Sequence, residues 1–402
     1  MSHVRIVSGA QEDAMDDGQK YMSRRTAAKG KKVMSAAGDL GQAFDDVITF
    51  SLGDPDLGVD PRILEATYHD MLAGHTHYTA TLGQLELRQA LVDFTRKDYG
   101  LSYSTDECMV TTSANHAMWL ICQVILDPGD EVIIFEPYFT PYLDQIGMAG
   151  GVPVPVQTRA EDGFLPTESA LSQAVSPRTR AIIVNSPSNP TGVVWDEASL
   201  QMVATIAAQH DLLVLADDIY TIYDFQRAFT SISTLPGMQQ RCVVLRSFSK
   251  NYCMAGFRIG YMMGPSALMA AARDINECVI FTPPSVSQRA ALAALSYHDE
   301  ICPDIRRVFE RRLTVAYQEV CRTKNLVSMP PCGAIYLWVD IRQTGLTSAQ
   351  FAKEVFEHAH VAVVPGSAFG ASGEGYIRLA ATIDEHTIHE AFKRLRVMPL
   401  FS

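Results

Sequence analysis

Val243-Val244-Leu245-Arg246-Ser247-Phe248-Ser249-Lys250, followed after a short loop by Gly256-Phe257-Arg258-Ile259-Gly260-Tyr261, is the stretch from which the rest of the chain is read. Its first half is a β-rich run that ends on a lysine. A lysine just past an apolar strand is open to desolvation, and a neutral amine is a nucleophile that forms an imine with an aldehyde. Arg258 adds a fixed cation suited to a phosphate, and Ser247 adds a hydroxyl donor. Taken alone, the segment also fits a surface lysine beside a structural arginine, so its surroundings have to decide.

Outward from this stretch, the chain alternates. Helix-like segments such as Gln84–Tyr99 separate short β-rich runs at Cys108–Thr111, Glu131–Phe135, Val152–Val156, Ala181–Val184, Leu212–Ala216, Val243–Ser247 and Ile259–Met263. Seven strands with helices between them predict an α/β domain around a mostly parallel sheet. Past about residue 300 the pattern changes to a long helix (Ile305–Thr323), a strand (Ala334–Asp340), a helix near Ser348–His358, then Val361–Val364 and Tyr376–Leu379. These predict a smaller α+β domain, which a strand near Val47–Leu52 joins from the N-terminal side. The expected division is an arm over 1–45, an N-terminal part of the small domain over 46–60, a large domain over 61–295 and the C-terminal small domain over 296–402.

Composition limits the partners. The 402 residues are enough for two packed domains, and 47% hydrophobic against 19% charged residues describes a core-forming chain. A net charge of −12 without a long Lys/Arg run argues against a nucleic-acid or anionic-membrane surface. The eight cysteines are scattered without a CxxC pair, which predicts buried free thiols in a reducing compartment. The polar, acidic start MSHVRIVSGAQEDAMDDGQK has no apolar signal core, and a cytoplasmic location is expected. No run approaches the roughly 18 apolar residues of a membrane span. Residues 1–45 carry a basic patch from Arg24 to Lys32 and read as an arm with some helix. His75 with His77, and His358 with His360, lack the cysteine or carboxylate that would complete a metal set, so no metal is expected. Gly256, Gly260 and Gly264 do not make a GxGxxG turn, so a dinucleotide site is not indicated.

Ligands of open α/β sheets bind beyond the carboxyl ends of the strands, and two more strand ends carry polar residues of particular type. In Ala216-Asp217-Asp218-Ile219-Tyr220, a buried carboxylate could pair with a protonated pyridine nitrogen, and the tyrosine could donate to a phenolate-like oxygen. The same acidic pair would also suit a helix cap or a metal. In Asn185-Ser186-Pro187-Ser188-Asn189-Pro190-Thr191-Gly192, prolines and a glycine stiffen a loop that presents Asn189 as donor and acceptor, although a plain turn has the same composition.

In order and spacing, the three segments together resemble the class I/II aminotransferases, the fold-type I enzymes of pyridoxal 5′-phosphate (PLP), from about Ile48 to Leu379. The resemblance implies that fold: a large domain with a mostly parallel seven-stranded sheet plus a smaller α+β domain. It implies that Lys250 carries the cofactor as a Schiff base and that Asp217 pairs with the ring nitrogen. Tyr220 and Asn189 would face the ring oxygen, and Ser247 and Arg258 the phosphate. Thr112-Ser113-Ala114-Asn115 is similar to the family's phosphate-cradling turn, with the amides of Ala114 and Asn115 on the phosphate; the family usually has glycine where Ser113 stands. Pro137-Tyr138-Phe139 would stack Phe139 on the ring. Tyr78, in Tyr78-Thr79-Ala80-Thr81-Leu82-Gly83, resembles the tyrosine that reaches the phosphate of the neighbouring subunit, which implies a homodimer with shared active sites. Gly53-Asp54-Pro55-Asp56 resembles a Gly-Glu-Pro-Asp loop whose glycine amide approaches the substrate carboxylate. Gly373-Glu374-Gly375-Tyr376-Ile377-Arg378-Leu379 supplies the arginine that would clamp the α-carboxylate.

The implied reaction moves an amino group between an L-amino acid and a 2-oxo acid by a ping-pong route through Lys250, with 2-oxoglutarate as the expected acceptor. The aspartate-recognising subgroup has a lysine where Asn115 stands, and Tyr336 and Trp338 are expected near the pocket, so aspartate, aromatic and neutral donors all stay open. A C–S β-lyase of the same fold is the alternative, since it starts with the same proton removal. A PLP-bearing transcription regulator is disfavoured by the acidic charge.

Overall fold

Cys242–Ser247 is buried along its whole length, Arg246 included. A parallel strand covered by helices on both faces has that burial. The computed structural model describes residues 21–23 and 46–401; the rest of the expected N-terminal arm, with the basic patch Arg24–Lys32, lies outside the described residues. In chain order the strands are β1 (Ile48–Thr49), β2 (Cys108–Thr111), β3 (Glu131–Glu136), β4 (Val152–Gln157), β5 (Thr179–Val184), β6 (Leu213–Asp217), β7 (Cys242–Ser247) and β8 (Gly260–Met263). They continue with β9 (Val327–Ser328), β10 (Tyr336–Asp340), β11 (Val361–Ala362), β12 (Val364–Pro365) and β13 (Tyr376–Ala380).

Seven of these strands form one sheet in the order β2-β8-β7-β6-β5-β3-β4. The run from β4 to β7 is parallel throughout, and β8 runs antiparallel to both of its neighbours. This is the expected α/β sheet, with each strand end displaced by at most two residues. At one edge β4 is largely exposed and carries Pro153 and Pro155, which have no N–H to offer and so discourage a further strand.

A second sheet, β12-β13-β10-β9, is antiparallel, and β1 pairs in parallel with β11. The helix expected from Ile305 starts earlier and spans His298–Cys321. Ile301, Cys302, Ile305 and Phe309 pack into the core beside the large sheet, while Leu313, Ala316 and Val320 pack into the core beside the small one. One rigid element therefore ties the two cores together.

The sequence predicts buried thiols throughout, but not all of them are buried. Cys278 and Cys321 are exposed, because each stands at the C-terminal end of a helix, Ser266–Glu277 and His298–Cys321, where the chain leaves its core. Among the described residues no helix is long and apolar enough to cross a membrane.

Candidate active site

The site begins where β6 and β7 stop. Ser247 closes β7 and caps the short helix Phe248–Asn251 that follows. Its Oγ accepts from the amide of Ser249 at 3.1 Å and donates to the Ser249 hydroxyl at 2.9 Å. That helix carries Lys250. The Tyr223 hydroxyl pins its backbone by donating to the Lys250 carbonyl at 2.7 Å, and Lys250 Nζ donates to the carbonyl of Gly53.

Asp217 ends β6 and is buried. The Tyr142 hydroxyl donates to its Oδ2, whereas its Oδ1 is buried with no hydrogen-bond partner. Burial pushes the Asp217 carboxyl up to about 7; the bond from Tyr142 works against this shift and the neighbouring charge of Asp218 adds to it.

The start of helix Ala114–Ile125 forms the next wall. Ser113, extended in backbone, accepts from the amide of His116 at 3.0 Å and so acts as the N-cap. The first amides of a helix have no partner within it, which leaves those of Ala114 and Asn115 to bind an anion. Gly260 lets this helix start come close: a Cβ there would lie 2.7 Å from the nitrogen of Ala114. Arg258 is exposed, adopts the left-handed backbone at φ 52°, and rests one guanidinium nitrogen on the Ala255 carbonyl at 2.8 Å.

A cavity of about 170 Å³ opens between these walls. Ala114, Asn115, Phe139, Asp217, Ser247, Lys250 and Arg258 line it. Seven residues expected from the sequence are thus brought to one space.

Four further residues expected from the sequence, Gly53, Asn189, Tyr220 and Arg378, do not line this cavity; hydrogen bonds and ring contacts join them into a cluster beside it. Asn185 Nδ2 donates to the Asp217 carbonyl at 3.0 Å, and Asn185 Oδ1 accepts from the Asn189 amide at 2.8 Å. Arg378 donates to Asn189 Oδ1 at 3.0 Å and to the Ser51 carbonyl at 2.6 Å. Its guanidinium lies 4.5 Å from the ring centroid of Tyr336 and 4.9 Å from that of Phe369. Burial holds Arg378 below the usual arginine value, and its Nε has no partner. The Tyr220 and Tyr336 hydroxyls share a hydrogen bond of 2.8 Å. Gly53 lies under Tyr336 so closely that a Cβ would fall on the Tyr336 hydroxyl.

Tyr78 is not brought to this cavity. Its side chain is 84% exposed, with its ring against Phe281 at 5.2 Å. Tyr142 and Asn185, in turn, were not singled out from the sequence. Tyr142 stands three residues after Phe139 at the start of helix Pro141–Met148, and nothing in that spacing tells that its hydroxyl points at a carboxylate 75 residues away. Away from the cavity, Asp98, His298 and Asp299 come together, with Lys97 paired to Asp299 at 2.6 Å.

The sequence pattern of the family "Aminotransferase class I and II" matches residues 45–395. The chain belongs to this family. Aminotransferases resemble it over nearly its whole length. The aspartate aminotransferase of Geobacillus stearothermophilus is 35% identical, over 91% of this chain and 95% of its own. The arginine–pyruvate transaminase of Pseudomonas aeruginosa is 33% identical, over 87% and 89%. The solved aromatic aminotransferase of Pyrococcus horikoshii OT3 superposes with a TM-score of 0.85 at 34% identity, covering 90% of this chain and 97% of its own. Class I and II aminotransferases depend on PLP, and this chain is an enzyme of that kind. Its cavity fits the cofactor. The orphaned Oδ1 of Asp217 asks for a donor such as a protonated ring nitrogen, and the helix start cradled on Gly260 sits beside Ser247 and Arg258, as a phosphate requires.

Proposed function

We propose that this aminotransferase moves the amino group of an L-amino acid to a 2-oxo acid in two half-reactions, with PLP held covalently by Lys250. The observation that carries the reading is the unpartnered Oδ1 of Asp217, buried at the cavity that Lys250 also lines. When bound, the cofactor supplies the electron sink that amino-group transfer needs.

The chain's own groups divide the remaining work. The amides of Ala114 and Asn115, the Ser247 hydroxyl and Arg258 would hold the phosphate. Asp217 would share a proton with the ring nitrogen, Phe139 would cover the ring face, and Tyr220 and Asn189 would meet the ring oxygen. Lys250 Nζ, once released from the cofactor, is the base that would take the proton from the substrate's α-carbon and return it. Arg378 would bind the carboxylate of both substrates. Its present partners are an amide and a carbonyl, both neutral, so a carboxylate would be the first anion to meet its charge. Burial between two aromatic rings excludes competing water and strengthens that attraction.

The domain limits given above, a large domain over 61–295 and a small one from 46–60 with 296–402, belong to this proposal. So does a homodimer with shared sites, which the exposure of Tyr78, Leu85 and Phe281 supports; light scattering showing an active monomer would refute it. Aspartate, aromatic and neutral amino acids are the candidate donors, with 2-oxoglutarate as acceptor, in the cytoplasm.

The test is to mix holoenzyme with single amino acids and no acceptor, following absorbance. Transamination stalls after one turnover with loss of the yellow colour, and restarts when a 2-oxo acid is added. Continuous pyruvate release from a sulfur amino acid would instead establish β-lyase chemistry.

A further inference from the structure

Asp218 and Arg246 are buried charges that the reading above leaves without a task. They are 3% and 4% exposed, and Arg246 Nη2 lies 3.6 Å from Asp218 Oδ2. Of the ion pairs between described residues, this is the one whose two side chains are both less than a tenth exposed. Asp218 follows Asp217 in the chain, and its charge reaches the Asp217 carboxyl. Tyr142 meets Asp217 from helix Pro141–Met148, while Arg246, one residue before the end of β7, meets the next residue in the chain.

Two carboxylates on consecutive buried residues cannot both ionise freely, because each charge raises the other's affinity for a proton. The charge of Asp218 acts on Asp217 in this sense, while burial pushes the Asp218 carboxyl itself up to about 6, against the pull of Arg246 and of a hydrogen bond with Ser231. Lys250 lines the same cavity as Asp217; the other titratable groups around the pair offer little to offset the charge of Asp218. Tyr99 from helix Leu85–Tyr99, Tyr103, Tyr261 of β8 and Cys242 of β7 face Asp218 or Arg246, and burial pushes all four up, so they are neutral near pH 7. Tyr142 and Tyr220, which face Asp217, are pushed up as well. Arg246 is the cation among them. Its guanidinium stacks 3.7 Å from the centroid of the Tyr99 ring, which fixes it beside Asp218 without using its charge on another carboxylate.

We propose that Arg246 is a positioning residue for the cofactor: by cancelling the charge of Asp218, it keeps Asp217 ionised and sets the pH below which the ring nitrogen loses its partner. The inference rests on the reading of Asp217 given above. At low pH the carboxylate and the ring nitrogen would each hold a proton and nothing would be left to accept, so PLP binding weakens on the acid side. Removing Arg246 moves that limb to higher pH, whereas removing the charge of Asp218 moves it to lower pH.

The experiment measures the PLP dissociation constant of the full chain from pH 6 to 9 by titration, for the parent, Arg246→Met, Asp218→Asn, the double variant and Asp217→Asn. Arg246→Met is expected to shift the acid limb up by about one pH unit, which makes binding about tenfold weaker at pH 6 and unchanged at pH 9. Asp218→Asn is expected to shift the limb the opposite way. The double variant is expected to return to within about twofold of the parent, a rescue that a merely structural role for Arg246 does not give. A limb that stays in place in Arg246→Met, or a double variant no better than the single one, overturns the proposal. Should Arg246→Met not fold, an unmoved limb in Asp218→Asn overturns it equally. Asp217→Asn separates the two readings: if it leaves PLP affinity unchanged, the assignment of Asp217 fails and the proposal falls with it. If it weakens binding while Arg246→Met does not, the role of Arg246 alone is wrong.

Discussion

The short helix that carries Lys250 is capped locally, Ser247 on Ser249, with Lys250 itself bonded to Tyr223 and Gly53, whereas Arg378 sits in a strand and is held by Asn189 and Ser51, which lie 189 and 327 positions away. The first half of the site, with the cavity, is made by strands that stop: β6 and β7 are parallel and buried, and their last residues face the same edge by construction. The second half does not line that cavity; it exists where the small antiparallel sheet meets the large one, through the relay from the Asp217 carbonyl by way of Asn185 and Asn189 to Arg378. On this account the strand-end half performs the proton chemistry, and the assembled half binds the part common to all substrates. The division can be broken by mutation.

The largest effect is expected in the strand-end half. Lys250→Ala removes both the attachment point and the base, so turnover should fall at least about 10³-fold while the fold, followed by circular dichroism, is kept. In the assembled half, Arg378→Ala should raise the apparent KM for amino donor and oxo acid together, each by roughly 10- to 100-fold, the worth of a lost charge-assisted contact. Initial-rate plots should stay parallel. A change in KM for one substrate only would show that Arg378 does not serve both half-reactions, and the comparison would lose its second term.

The smallest effect concerns stability and sharpens what the strand-end half costs the protein. The folded carboxyl of Asp217 is pushed up to about 7, from 3.8 for an unburied aspartate. The folded state therefore holds this proton more tightly than the unfolded chain does. The group's contribution to stability is full below about pH 4 and is lost as pH rises through 7. In cofactor-free protein, Asp217→Asn should accordingly be more stable than the parent at pH 8, by roughly 1–4 kcal/mol, with the gap closing as pH falls to 4. Thermal melts at the two pH values measure it; a gap that widens toward pH 4 would contradict the sign.

The same contrast explains what could be read in the sequence. Apolar runs ending in Asp217 and Ser247-Phe248-Ser249-Lys250 announce both the sheet and its functional edge, because in a parallel sheet the strand end is the site. Arg378 is visible only through its surrounding Gly373–Leu379 motif, and its hydrogen bonds to Asn189 and Ser51 depend on contacts between distant segments. Tyr142 is not legible in the sequence for the same reason, since its contact with Asp217 follows from the direction of a helix that periodicity does not orient. In the sequence Arg246 is one polar residue inside an apolar run, and only its burial beside Asp218 gives it meaning.

The central claim is that Lys250 holds the cofactor. Borohydride reduction of the yellow holoenzyme, digestion and peptide mapping test it directly. The account predicts a single reduced pyridoxyl adduct on the peptide that contains Ser247-Phe248-Ser249-Lys250, at Lys250. An adduct on any other lysine would contradict it.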